Sequence, residues 1–123
     1  MATMLGQCAD INGYLAEINS GTEYNFIIQF LKNQVETIER SDAMLGATND
    51  NPQGAWMYLT SGAPLSWVSW TRQSAQHCMW IVWNADAQEG LHQYYCNLSG
   101  HSAHIVCEVE TGKWIIGPIL DDR

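Results

Sequence analysis

The chain has 123 residues, 46% of them apolar and six of them tryptophan, and its 13 acidic against 5 basic side chains give a formal charge of -8. This length fits one domain with a substantial core, and the apolar content excludes a disordered chain. The acidic balance argues against phosphate-rich partners, so neither nucleic acid nor an anionic membrane surface is expected. No apolar run approaches the roughly 20 residues that cross a bilayer, so membrane insertion is not expected either.

The opening "MATMLGQCAD" lacks the basic end and apolar run of a signal peptide. It is read as a mature region behind an added initiator methionine in preference to the start of an intracellular protein. "GQCADING", residues 6–13, is expected to form a short helix ended by Gly13, with "YLAEI" after it as a short strand or extended link. The clearest helix signature is "SGTEYNFIIQFLKN", residues 20–33. Ser20 can accept from free backbone N–H groups and Glu23 can reach back in a capping box. Tyr24, Ile27, Ile28 and Leu31 then recur on one face, which should be buried.

From "AMLGAT" onward, short apolar segments alternate with Asn, Asp, Pro and Gly. "NDNPQG" and "TSGAP" read as turns and "AWMYL" as a strand. "HCMWIVWN" (77–84) and "AHIVCEVE" (103–110) are the best later strands, with "YYCN" as a short one between them. Helices first and irregular sheet after predict a single α+β domain with no repeat and no linker. Within it, "WMYLTSGAPLSWVSW" (56–70) places Trp56, Trp67 and Trp70 in an uncharged stretch. That stretch suits either a core around a turn or an aromatic ligand platform, and the core is the favoured reading.

Cys8, Cys78, Cys96 and Cys107 are even in number and lack the close pairs of a structural zinc site. Four cysteines allow three pairings. A Cys8–Cys107 bridge would staple the termini and a Cys78–Cys96 bridge would hold an internal hairpin, while four reduced core thiols are the alternative.

Taken in order, "C…GYLAEINSGTEYNFI", "MLGATNDNPQGAWMYLTSGAPLSWVSW", "HCMWIVW", "YYC" and "AHIVCEVE" resemble the C-type lectin-like domain over roughly residues 5–110. The resemblance implies the pairings Cys8–Cys107 and Cys78–Cys96, two helices packed on an irregular antiparallel sheet, and a scaffold that includes Gly46, Trp56, Leu65, Trp67 and Trp70. On that reading residues 1–110 form the domain and residues 111–123 an extension.

The chain departs from the family's pattern at the calcium site. Only "TRQSAQH" separates Trp70 from Cys78, and neither a Glu-Pro-Asn nor a Gln-Pro-Asp triplet is present. Where the family carries Trp-Asn-Asp before the third cysteine, this chain has Leu91, His92 and Gln93. Calcium needs six to eight oxygen ligands, largely carboxylates and carbonyls, so sugar binding through calcium is not expected. The family's usual first strand is missing too. "TGKWIIGPILDD" (111–122) is instead added after the last cysteine. Its apolar run is expected to cover the place of the missing strand or to join a neighbouring subunit's sheet in a homo-oligomer.

Other chemistry is less well supported. His77, His92, His101 and His104, with Asp86 and Glu89 nearby, have no metal-site spacing. No metal or other cofactor is therefore expected. No nucleophile elbow or phosphate loop is present, so the chain does not read as an enzyme. Asn97 in "NLS" is a formal glycosylation acceptor.

The leading expectation is a secreted or extracellular recognition module of lectin-like type that binds a glycan or protein ligand without calcium. Trp80, Trp83, Tyr94, Tyr95, Arg72, Gln73, Gln76, His92 and Gln93 supply aromatic faces and polar groups near the shortened loop. Of these Trp83, His92, Gln93, Tyr94, Arg72 and Gln73 are the chosen ligand-binding candidates. The rival expectation is a structural or assembly protein that uses the scaffold for subunit contacts.

Overall fold

The computed structural model describes residues 8–9, 11–33, 42–83, 88–96, 104–109 and 112–118. In chain order the elements are β1 (Gly13–Leu15), α1 (Gly21–Lys32), β2 (Asp42–Thr48), β3 (Met57–Tyr58), β4 (Trp70–Arg72), β5 (Cys78–Val82), β6 (Gly90–Tyr94), β7 (His104–Val109) and β8 (Trp114–Pro118). The fold is α+β, with one described helix where two were expected. Gly13 opens β1 instead of ending a helix. Cys8 and Ala9 are helical, Ile11 and Asn12 form a turn, and residues 6, 7 and 10 lie outside the described residues.

Helix α1 forms where local chemistry dictates. Ser20 Oγ accepts the Glu23 N–H at 3.0 Å, and Glu23 Oε1 accepts the Asn19 N–H at 2.7 Å, one residue earlier than a regular capping box. Ile27, Ile28 and Leu31 are buried on one face, and Tyr24 tilts against Trp67 with ring centroids 5.9 Å apart. That contact docks the helix on the uncharged tryptophan segment.

The sheet runs β1-β7-β2-β5-β6-β4, with β3 on β2 and β8 on β7. It is mixed and not antiparallel throughout as expected, because β2/β7 and β4/β6 are parallel pairs. Glu108 is registered with both Tyr14 of β1 and Trp114 of β8, so β7 lies between those strands. The C-terminal segment thus pairs with the last cysteine-bearing strand of its own chain. Trp114 and Ile116 pack on the core, and Phe30 of α1 meets Trp114 at 6.0 Å.

Alternation along the strands divides the core between two sheet faces. On the helix face lie Ala43, Leu45, Met79, Ile81, Leu91 and Val106 with Ile27, Ile28 and Leu31. On the other lie Leu15, Met44, Trp80 and Ile105 with Cys8, Cys78 and Cys107. Cys8–Cys107 and Cys78–Cys96 are both formed. They close separations of 99 and 18 residues, worth roughly 5 and 3 kcal/mol by chain-entropy reasoning.

The tryptophan segment is scaffold. Trp56 and Trp70 pack at 4.8 Å, and both rest on the core with Leu65, Trp67 and Val68. Tyr58 is buried and donates its hydroxyl to the Ile18 carbonyl at 3.0 Å. At Gly46 the backbone passes so close to β1 that a Cβ would sit 2.6 Å from the Leu15 carbonyl oxygen. The expected "YYCN" strand is displaced: β6 ends at Tyr94 and starts at Gly90.

Candidate functional site

β4 and β6 run parallel, with Arg72 registered on His92. β5 and β6 are antiparallel, with Cys78 registered on Tyr94. Residues 73–77 therefore cross the C-terminal end of β6 to connect β4 with β5. Arg72, Gln73, Gln76, Tyr94 and Tyr95 gather at this end of the sheet, where Cys78–Cys96 ties β5 to the chain leaving β6. The shortness of the connection fixes the cluster, since the residues between two cross-sheet strands have little choice of path.

The crossing loop is pinned by polar groups. Gln93 Oε1 accepts the Ser74 N–H at 2.8 Å, Ser74 Oγ donates to the Gln93 carbonyl at 2.8 Å, and Ser74 Oγ accepts the Gln76 N–H at 3.0 Å. On its far side, Thr48 Oγ1 donates to the His77 carbonyl at 2.7 Å, and the His77 ring bonds Asn49 Oδ1 at 2.7 Å. Such a loop is pre-organised and loses little entropy on meeting a ligand.

The aromatic component is a ladder on the disulfide face. Tyr94 meets Trp80 edge-on at 5.8 Å and His92 edge-on at 5.7 Å, and stacks on Tyr95 at 5.8 Å with 24° between the planes. Trp80 Nε1 donates to the Tyr95 carbonyl at 2.9 Å, which fixes the backbone at the ladder's outer end. Tyr95 is 48% exposed, whereas Tyr94 is half-buried.

The six candidate residues therefore divide. Arg72 and Gln73 are exposed, and Tyr94 is half-buried beside them. His92 and Gln93 are buried. His92 Nε2 donates to the Gln88 carbonyl at 2.6 Å, and Gln93 is occupied by the Ser74 clamp. Trp83 is fully buried and packs on the helix face, just beyond the end of β5 where Val82 is registered on Gly90. It lies at the opposite end of β5 from the crossing loop and presents no surface to a ligand. Trp80 and Trp83 lie on opposite faces, and both are buried because both faces of β5 are covered. Tyr95 is the exposed aromatic at the site. Its signal in the sequence was only that it follows Tyr94 and precedes Cys96.

The residues at the positions of the calcium triplets carry no carboxylate of their own. Leu91 is core, His92 and Gln93 make the contacts above, and the crossing loop carries none. Among the described residues no group of three or more His, Cys, Asp or Glu side chains is placed to hold a metal ion. Asn97, Asp86 and His101 lie outside the described residues.

Perturbed titration is concentrated elsewhere, where β1, β7 and the turn after β3 meet. Burial raises Glu17, offset by N–H groups of Thr60 and Ser61 on its carboxylate. Burial also raises Glu108, offset by the Tyr14 hydroxyl. Tyr14 is pushed up to about 12 by burial and by the Glu108 charge. Glu17 Oε2 accepts the Thr60 N–H at 3.0 Å. Glu17 thus fastens the backbone of the turn after β3, and Glu108 holds the Tyr14 hydroxyl.

The sequence profile described as the lectin C-type domain matches residues 2–109. No curated protein sequence matches significantly. Among solved structures, the mouse scavenger receptor C-type lectin carbohydrate-recognition domain is 21% identical with a TM-score of 0.52, covering 73% of this chain and 66% of that one. Human lithostathine is 14% identical with a TM-score of 0.60, covering 94% and 71%. The Ca2+-independent C-type lectin SPL-2 from Saxidomus purpuratus is 13% identical with a TM-score of 0.63, covering 94% and 72%. At these identities the structural likeness is one of fold, and the chain spans about two thirds of the mouse domain's length.

Proposed function

The chain belongs to the C-type lectin domain family, and from that membership we propose that it is an extracellular, calcium-independent recognition module whose ligand is a glycan. The binding surface is the end of the sheet formed by Arg72, Gln73, the crossing loop, Tyr94 and Tyr95. One observation carries this reading: the positions that would ligate calcium instead build the surface, with Gln93 clamping Ser74 and His92 supporting Tyr94. A half-exposed tyrosine on a fixed backbone suits the C–H face of a sugar ring, and neighbouring amide and guanidinium donors suit its hydroxyls. The structural relative described as a Ca2+-independent lectin is consistent with recognition on this scaffold without the ion. Two disulfides fit an oxidising compartment. No helix among the described residues is long and apolar enough to cross a membrane.

Glycan-array binding in calcium and again in excess EDTA tests the reading, with Tyr95→Ala beside the wild type. The expected result is a set of hits that survives EDTA and weakens in Y95A. Hits abolished by EDTA overturn calcium independence, and hits untouched by Y95A place the surface elsewhere. A protein ligand with no glycan response overturns the choice of ligand.

A further inference from the structure

Acidic and basic residues are segregated along this chain. Residues 51–85 and 90–107 contain no Asp or Glu, although the whole chain has 13 acids. Those two acid-free stretches supply β4, the crossing loop, β5 and β6, the elements that build the end of the sheet described above. Within residues 51–85 the single basic residue is Arg72. Of the other described basic residues, Lys32 pairs with Glu89 at 3.0 Å, and Lys113 is exposed in the turn between β7 and β8, outside both stretches. Arg72 is exposed, and among the described residues no carboxylate pairs with it. An acidic protein has partners to spare for a surface arginine, so an exposed guanidinium that no described carboxylate pairs with, on strands without acids of their own, suits an anion that comes from outside.

We propose that Arg72 makes this surface selective for acidic saccharides, with a carboxylate or sulfate of the glycan on the guanidinium and the sugar ring against Tyr95. The inference rests on the glycan reading above and adds the class of sugar. Arginine's planar fork of donors matches a carboxylate or sulfate with two parallel hydrogen bonds, which a lysine does not reproduce. Position supports the pairing, because Arg72 is registered on His92, two residues before Tyr94 on the strand that leads to Tyr95. The overall charge of -8 opposes an anionic ligand at long range. Recognition therefore depends on the contact itself, and the effect should stand out when Arg72 is changed.

The test is calorimetric titration with four probes: a tetragalacturonate, its methyl ester, and the sulfated and unsulfated forms of one neutral tetrasaccharide. The charged member of at least one pair should bind about tenfold tighter than its neutral counterpart. In Arg72→Gln the two members should bind alike, and R72K should keep only part of the preference. Which pair shows the larger ratio distinguishes carboxylate from sulfate as the natural anion. Equal affinity within both pairs, or a preference that survives R72Q, overturns the role of Arg72 while leaving the glycan reading intact. No binding of any probe overturns both. Binding of a glutamate-rich peptide with no saccharide response replaces this inference with an acidic protein partner. R72Q should melt as the wild type does, because the side chain is exposed and unpaired.

Discussion

Gln93 and Ser74 exchange hydrogen bonds: the Gln93 side-chain oxygen accepts the Ser74 N–H, and the Ser74 hydroxyl donates to the Gln93 carbonyl, each at 2.8 Å. A buried amide on β6 thus sets the conformation of an exposed loop that joins two other strands. Gln93→Ala removes one acceptor and should cost about 1 kcal/mol, lowering Tm by about 4 °C. Hydrogen exchange at the Ser74 amide should accelerate. Unchanged protection at Ser74 would show that the loop is held by other means.

Gly46 lies against the Leu15 carbonyl, its N–H donates to Ala16, and its carbonyl accepts from Leu59. Backbone on both sides cannot yield as a flexible side chain would. Gly46→Ala should therefore destabilise by about 2–3 kcal/mol or more, read from denaturant midpoints. Gly54 has open space around it, but its φ of +66° strains any L side chain there, so Gly54→Ala should cost less without being silent.

The disulfides should contribute unequally. Replacing Cys8 and Cys107 together by alanine should cost roughly 5 kcal/mol, against roughly 3 kcal/mol for Cys78 and Cys96, because the first closes the longer loop. Equilibrium unfolding of the two double variants checks the order. The Cys78–Cys96 pair should matter more for ligand binding, since it fixes the end of β6.

Glu17 and Glu108 are held above the usual carboxylate range by burial. A raised folded pKa contributes stability that is fully present below the unfolded value and is lost as pH rises through the folded one. Both groups therefore favour the fold below about pH 4.5 and weaken it toward neutrality. The variant Glu17→Gln/Glu108→Gln should be more stable than the wild type at pH 7, with the gap closing as pH falls to 4.5. A gap independent of pH would show that neither carboxylate is the source. Tyr14, pushed up to about 12, adds a second loss between pH 10 and 12.

Much of the fold was legible because it is set locally or by long patterns. The span of α1 follows from Ser20, Glu23 and the recurrence of Ile27, Ile28 and Leu31, all within one segment. The strands around Cys78 and Cys107 follow from alternation and β-branched content. β6 was misplaced because Gly90, His92 and Gln93 have little strand preference of their own. They are extended because β5 and β4 pair with them from two sides.

The candidate site was legible in part. The sequence by itself determined that the Glu-Pro-Asn, Gln-Pro-Asp and Trp-Asn-Asp triplets do not occur, that the connection from Trp70 to Cys78 is short, and that Arg72 stands in an acid-free stretch. Residue identity and spacing are enough for each of these. Only the tertiary structure decided which aromatic faces solvent, since burial of Trp80 and Trp83 depends on layers covering both faces of β5. Only the tertiary structure, likewise, turned Gln93 from a candidate ligand contact into the clamp on Ser74, because the partner lies 19 residues away and meets it through parallel pairing of β4 with β6.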